Sequence, residues 1–129
     1  MRFLLLIAAF LIVSIIGFRT SLQNGSLMHY IDTHPDPQIM PPVAFFIAEG
    51  YYLFRNLQNS ATYYQRISDQ YPQSSYADDA YFSYLQSLDE MNTPRPQMAE
   101  LYATYLQRFP QGKNADIVQK RIELCRNSR

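Results

Sequence analysis

Residues 61–72 of the sequence, ATYYQRISDQYP, are followed 38 positions later by a second stretch of the same pattern, residues 99–110, AELYATYLQRFP. Each stretch opens with alanine, carries tyrosine three residues later, and ends in an aromatic residue followed by proline. This spacing places the larger side chains on one stripe of an α-helix. Proline lacks an amide donor and ends the helix. The two stretches therefore predict two equivalent helices of a repeat protein.

Apolar residues at helical spacing also lie on either side of the two copies. Together with them they predict five helices, over residues 43–57, 59–71, 75–91, 96–109 and 113–126. The last helix has charged residues on its other side, as the terminal helix of a short repeat array requires. The expected fold class is all-α, with an N-terminal transmembrane helix and a short solenoid of about five helices.

Three segments carry a likeness to a known family: Tyr71-Pro72-x-Ser74-x-Tyr76-Ala77-x-x-Ala80, Phe109-Pro110-x-Gly112 and Gln119-Lys120-Arg121-Ile122. With the repeat, they make the chain resemble the tetratricopeptide repeat family. Residues 61–126 are similar to its bacterial envelope branch, which includes the C-terminal domain of the Tol-associated cell-division coordinator and the outer-membrane-assembly lipoprotein. The resemblance implies a protein-binding scaffold that lies in the periplasm and needs no cofactor.

An uncharged, apolar segment runs from Phe3 to Phe18 and ends at Arg19. Its length lies between those of signal peptides and membrane-spanning helices. No suitable pair of small residues follows it, which favours an uncleaved anchor over residues 1–20 rather than a cleaved signal peptide. The N-terminal amine and Arg2 outnumber Arg19 by one charge. The positive-inside rule then predicts a single-pass protein of the inner membrane with its C-terminal domain in the periplasm.

Residues 21–42 are expected to form an irregular linker, and residues 43–129 the repeat domain. The pair Asn24-Gly25 favours a turn, and four prolines from residue 35 onward disfavour helix. His29 and His34 lie in this linker without the companion ligands of a metal or haem site. We interpret them as solvated loop residues.

Composition excludes several classes of function. Beyond the anchor, nine lysines and arginines face eleven acidic residues, so the basic surface needed for nucleic acid is missing. Four glycines form no phosphate loop, and both histidines lie in the linker, away from any triad. We interpret the single cysteine, Cys125, as structural. The expectation is a protein that is not an enzyme, without catalytic residues, metal, cofactor or small-molecule substrate.

The resemblance implies where a partner would bind, because the first helix of each tetratricopeptide pair lines the concave surface. The helices over 43–57, 75–91 and 113–126 would line this groove. Its candidate residues lie off the packing stripes of these helices: Phe45, Glu49, Tyr52, Asp79, Phe82, Gln86, Asp89, Ile117 and Arg121. This mixture of aromatic and acidic residues suits a partner segment with apolar anchors and some basic residues.

The expected function is therefore a membrane-anchored adaptor for protein–protein interaction. Its expected partners are other envelope or membrane-complex proteins, and the lipid bilayer through residues 3–18. The alternative is a structural accessory subunit built permanently into a larger membrane complex. The two differ in the anchor, which is only a tether in an adaptor but packs against other helices in a subunit.

Overall fold

The computed structural model describes residues 1–128, except for the side chain of Arg2. Within that range the chain is helical and has no strand, which confirms the all-α prediction. It divides into two compact units, Met1–Pro35 and residues 36 onward. The helices are α1 (Arg2–Gln23), α2 (Ser26–Thr33), α3 (Met40–Leu53), α4 (Leu57–Gln70), α5 (Ala77–Glu90), α6 (Arg95–Arg108) and α7 (Ala115–Asn127).

The first unit contains an apolar helix that is long enough to cross a membrane. Its apolar part, Phe3–Gln23, comprises 21 residues, or roughly 31 Å of helix, which matches the thickness of a hydrocarbon core. Two hydroxyls in it donate to carbonyls one turn back, from Ser14 to Phe10 at 2.8 Å and from Thr20 to Ile16 at 2.9 Å. Internal hydrogen bonds of this kind lower the cost of polar side chains in lipid.

The second helix corrects the expectation that residues 21–42 are irregular. Gly25 adopts a left-handed backbone conformation, with φ of 74°, and turns the chain from α1 into α2. The Asn24 side chain accepts a hydrogen bond from the amide of Ser26 at 3.2 Å. The prolines begin only after α2 has ended, so they leave Ser26–Thr33 free to be helical.

The helix α3 begins three residues earlier than predicted. Pro41 and Pro42 lie in its first turn, where an amide donor is not needed, so they start the helix rather than delay it. Before them, the Asp36 carboxylate accepts hydrogen bonds from the amides of Gln38 and Ile39 at 2.8 and 3.1 Å.

The helices α3 and α5 end in the same way. Arg55 and Asn92 each take a left-handed conformation with φ of 60°. The amide that follows each of them bonds back to the last turn, from Asn56 to Tyr51 at 2.9 Å and from Thr93 to Leu88 at 3.2 Å. This is the Schellman arrangement, usually made by glycine. Because Arg55 occupies the position where glycine usually marks the end of a helix, the sequence does not reveal this end. The helix α3 therefore ends four residues before the predicted residue 57.

The core follows the repeated stripe. Tyr64 and Tyr102 occupy equivalent positions and are each 1% exposed, as predicted. The helix α4 packs against both α3 and α5, and α6 packs against α7. The core of the C-terminal half consists of Tyr81, Leu85, Met98, Tyr102, Tyr105, Val118, Ile122 and Cys125.

The turn between α6 and α7 is held by one carboxylate of α5. Asp78 accepts hydrogen bonds from the hydroxyl of Tyr105 and, at 3.0 Å, from the amide of Lys113. Gly112 passes so close that a Cβ there would lie 2.5 Å from the Tyr105 hydroxyl and 2.7 Å from Asp78 Oδ2. This turn sets where α7 begins, and therefore which residues of α7 face the core and which face solvent.

Candidate protein-binding surface

The helices α5, α6 and α7 meet at the side chain of Arg121. Val118, Ile122 and Cys125 form the buried stripe of α7, and Arg121, three residues after Val118 and four before Cys125, lies at the edge of that stripe. Its guanidinium lies 5.1 Å from the centre of the Phe82 ring and 5.9 Å from that of Tyr102. Nη1 also donates to the Tyr102 hydroxyl at 3.3 Å. The guanidinium is thus held against two aromatic rings from two different helices.

Two exposed apolar side chains flank Arg121 on α7. Ile117 lies four residues before it and is 47% exposed, and Leu124 lies three residues after it and is 65% exposed. Residues three and four apart share one face of a helix. Leu124 was missing from the sequence-based set, although its spacing of seven from Ile117 was a usable signal. We call Phe82, Ile117, Arg121 and Leu124 the α7 surface, and the buried ring of Tyr102 lies beneath it.

The acidic candidates on α5 are paired with cations of the chain itself. The carboxylate of Asp79 lies 2.7 Å from Lys113 Nζ and accepts a hydrogen bond from Asn114 Nδ2 at 3.3 Å. That of Asp89 lies 3.4 Å from Arg95 Nη1. Hydrogen bonding to Asp79 raises the pKa of Lys113, so the lysine stays charged. These two acids are therefore partly neutralised before any partner arrives.

The candidates on α3 form a different cluster. The Phe45 ring packs against those of Tyr64 and Tyr76, with centres 5.6 and 5.5 Å away. Glu49 accepts a hydrogen bond from the Tyr64 hydroxyl. These contacts join α3 to α4 and to the start of α5, so Phe45 and Glu49 help to assemble the first repeat.

Tyr52 joins the C-terminal ends of α3 and α5. Its hydroxyl donates to Glu90, which also pairs with Arg55 at 2.6 Å. The Tyr52 hydroxyl and Arg55 lower the pKa of Glu90. Gln86 is half-buried on α5, one turn after Phe82. Of the nine predicted groove residues, the structure brings Phe82 and Arg121 into direct contact, with Ile117 beside them.

The hydroxyls of Tyr52, Tyr64 and Tyr105 each donate a hydrogen bond to a carboxylate. Burial, together with a hydrogen bond to Glu49, raises the pKa of Tyr64 well above its usual value. Burial and a hydrogen bond to Asp78 do the same for the pKa of Tyr105. Both hydroxyls therefore stay protonated at neutral pH and keep their bonds to the carboxylates.

Two surface clefts of the domain are large enough to hold a small molecule. One, of about 330 Å³, is lined by Pro37, Gln70, Tyr71, Pro72, Gln73 and Ser74. The other, of about 430 Å³, is lined by Arg95, Pro96, Ala99, Cys125, Arg126 and Ser128. Neither cleft brings a nucleophile together with a general base. Residues 1–128 also contain no group of three or more metal-ligating side chains.

Comparison with known protein families gives no match, and comparison with characterised proteins gives no significant similarity.

Proposed function

We propose that this protein is a membrane-anchored adaptor whose tetratricopeptide-like helical array binds a segment of another protein. The α7 surface carries the proposal. It presents an oriented arginine, a residue type enriched among those that dominate binding energy at protein interfaces, beside the partly exposed ring of Phe82. Exposed Ile117 and Leu124 beside them add apolar area that a partner can bury.

The two copies of the motif support membership of the tetratricopeptide family. Each copy forms the second helix of a pair, α4 after α3 and α6 after α5, and each ends before a short turn. The pairing of Asp79 and Asp89 with cations of the chain, and two clefts that join no nucleophile to a general base, support a binding role rather than catalysis. The charge difference across the anchor supports a location in the inner membrane of a bacterium, with the domain in the periplasm.

A structural accessory subunit is the second candidate, and α3 is the feature that favours it. This 14-residue helix contains one charged residue, Glu49. Ile39, just before it, and Leu53, at its end, are 56% and 74% exposed. A terminal helix that is apolar on its outer side suits permanent burial against another protein.

Matched surface variants separate the two candidates. In the full chain, we expect Ile117→Ser with Leu124→Ser to reduce recovery of co-purifying proteins by at least about tenfold, because two apolar contacts are lost. Leu53→Ser, at a more exposed apolar position on α3, should leave recovery unchanged. The measurement is quantitative mass spectrometry after purification in mild detergent. The reverse pattern would favour the accessory subunit.

The anchor gives an independent test. Replacing residues 3–18 with an unrelated apolar helix of equal length should preserve partner recovery if the anchor is only a tether. A subunit that packs its anchor against other helices would lose its partners. Membrane fractionation of the exchanged protein is the control, since a protein that fails to insert cannot report on either candidate.

A further inference from the structure

Arg121 differs from three other arginines of the domain. It has no carboxylate within 4 Å among residues 1–128, and its hydrogen-bond acceptor there is the neutral Tyr102 hydroxyl. The other three each pair with an acid: Arg55 with Glu90 at 2.6 Å, Arg95 with Asp89 at 3.4 Å and Arg108 with Asp69 at 3.0 Å. Within residues 1–128, this half-buried positive charge therefore has no carboxylate partner.

The neighbouring acids cannot easily fill this role. On α7, the residues three and four positions from Arg121 are Ile117, Val118, Leu124 and Cys125, none of them acidic. On α5, Asp89 is close enough to influence the Tyr102 hydroxyl, but it already pairs with Arg95. The guanidinium of Arg121 is therefore available to a carboxylate of another molecule.

The geometry around Arg121 suits such a counter-charge. The rings of Phe82 and Tyr102 restrict the guanidinium, so little conformational freedom remains to be lost on binding. A guanidinium has five N–H donors, and one of its nitrogens is engaged by Tyr102. The remaining donors match a carboxylate, which can accept two parallel hydrogen bonds.

We propose that Arg121 receives a side-chain carboxylate of the partner segment, while apolar side chains next to that carboxylate pack on Ile117 and Leu124. This rests on the adaptor function proposed above and names the chemistry of its ligand. It also reverses the expectation from sequence that the groove selects basic residues. The two acidic groove candidates of α5, Asp79 and Asp89, are paired with Lys113 and Arg95, whereas Arg121 has no carboxylate partner within residues 1–128.

Peptide selection on the intact protein tests the proposal. The full chain in phosphatidylcholine nanodiscs is used to select binders from a displayed library of random dodecapeptides. We expect enrichment of aspartate or glutamate next to leucine, isoleucine or phenylalanine. Arg121→Gln should weaken the selected peptides by at least about tenfold, as expected for a lost charge-assisted pair. Arg126→Gln, on the same helix but lining another cleft, should bind them like the wild type.

Two controls test whether the planar guanidinium is needed and whether the Arg121 variants remain folded. Arg121→Lys keeps the charge but loses the planar fork, so it should bind at an intermediate level if it melts like the wild type. Thermal melting of each variant shows whether weaker binding reflects unfolding. Unfolding of both Arg121 variants at the assay temperature would contradict the proposal, because the residue would then be structural.

The remaining outcomes are distinguishable. Enriched peptides without acidic residues, or equal binding by Arg121→Gln, would overturn the carboxylate proposal and leave the adaptor function standing. Loss of Arg121-dependent binding in nanodiscs containing phosphatidylglycerol would mean that lipid phosphate occupies the site, and would also overturn it. No enrichment at all would contradict the adaptor function itself.

Discussion

The two copies of the repeated motif place their tyrosines alike but use the hydroxyls differently. Tyr64 and Tyr102 are both buried, yet the Tyr64 hydroxyl donates to Glu49 on the preceding helix, and the Tyr102 hydroxyl accepts from Arg121 on the following one. The aromatic ring thus fixes the packing, and the hydroxyl decides which neighbour is joined. In the first repeat this bond strengthens the scaffold. In the second it orients a residue that faces solvent.

A second difference lies three residues further along each motif. Ile67 is apolar and fully buried, whereas the equivalent Tyr105 sends its hydroxyl to Asp78. The second repeat is therefore connected by hydrogen bonds to the turn that precedes α7. The first has no such connection through Ile67.

The largest expected effect tests the similarity of the two tyrosines. Replacing either Tyr64 or Tyr102 with alanine should lower the free energy of unfolding by roughly 3–5 kcal/mol, as for large aromatic residues in cores. Short arrays tolerate such losses poorly because each repeat supports the next. Denaturant unfolding of the full chain, followed by circular dichroism, measures the loss. A variant that unfolds like the wild type would show that the two sites are not equivalent.

A smaller effect is expected at the turns, where the repeats differ. Gly112→Ala should cost about 1–3 kcal/mol, because the new methyl group would overlap Tyr105 and Asp78. The equivalent residue after the first motif is Ser74, which already carries a Cβ. Ser74 Oγ accepts a hydrogen bond from the amide of Tyr76 at 3.2 Å. Ser74→Ala loses this bond and should lower the free energy of unfolding by less, about 1 kcal/mol or below. Equal losses of unfolding free energy in the two variants would contradict the closer packing at Gly112.

The smallest effect concerns the hydroxyls and appears only at alkaline pH. Folding raises the pKa of Tyr64 and of Tyr105. Their contribution to the free energy of unfolding is therefore complete below the ordinary tyrosine pKa of 10.0, and it is lost as the pH rises toward the folded-state pKa. Above pH 10.0, each tyrosine should lower the free energy of unfolding by at most about 1.4 kcal/mol per pH unit. Denaturant unfolding between pH 8 and 11 should show a shallower decline for Tyr64→Phe and for Tyr105→Phe, since phenylalanine has no proton to lose. An unchanged slope in both variants would mean that these tyrosines do not titrate with unfolding.

Local patterns predicted more of the fold than of the surface. The positions of α3 to α7 and the burial of Tyr64 and Tyr102 follow from apolar spacing and from proline. The end of α3 was mispredicted because Arg55 occupies a left-handed position that usually reveals itself as glycine. The helix α2 was not predicted, because the prolines that disfavour helix begin only after it has ended.

The surface depends on contacts between residues far apart in sequence. Helical spacing could place Phe82 on α5 and Arg121 on α7. It could not show that the guanidinium of Arg121 stacks on the ring of Phe82. Nor could it show that Lys113, in a turn, neutralises Asp79. Pairing of charges across loops depends on the tertiary arrangement, so the sign of the charge left for a partner could not be deduced in advance.

The burial of Cys125 makes the stability of the α7 surface directly measurable. It is the only cysteine and is 8% exposed, within the core that α6 and α7 share. Although Cys125 contributes to the lining of one surface cleft, its low exposure means that an alkylating reagent reaches its sulfur freely only when α7 separates locally from α6. When reclosing is faster than alkylation, the reaction rate reports the equilibrium for this opening. Arg121 lies one turn away on the same helix, so a bound segment should slow alkylation in proportion to its occupancy, without any added label.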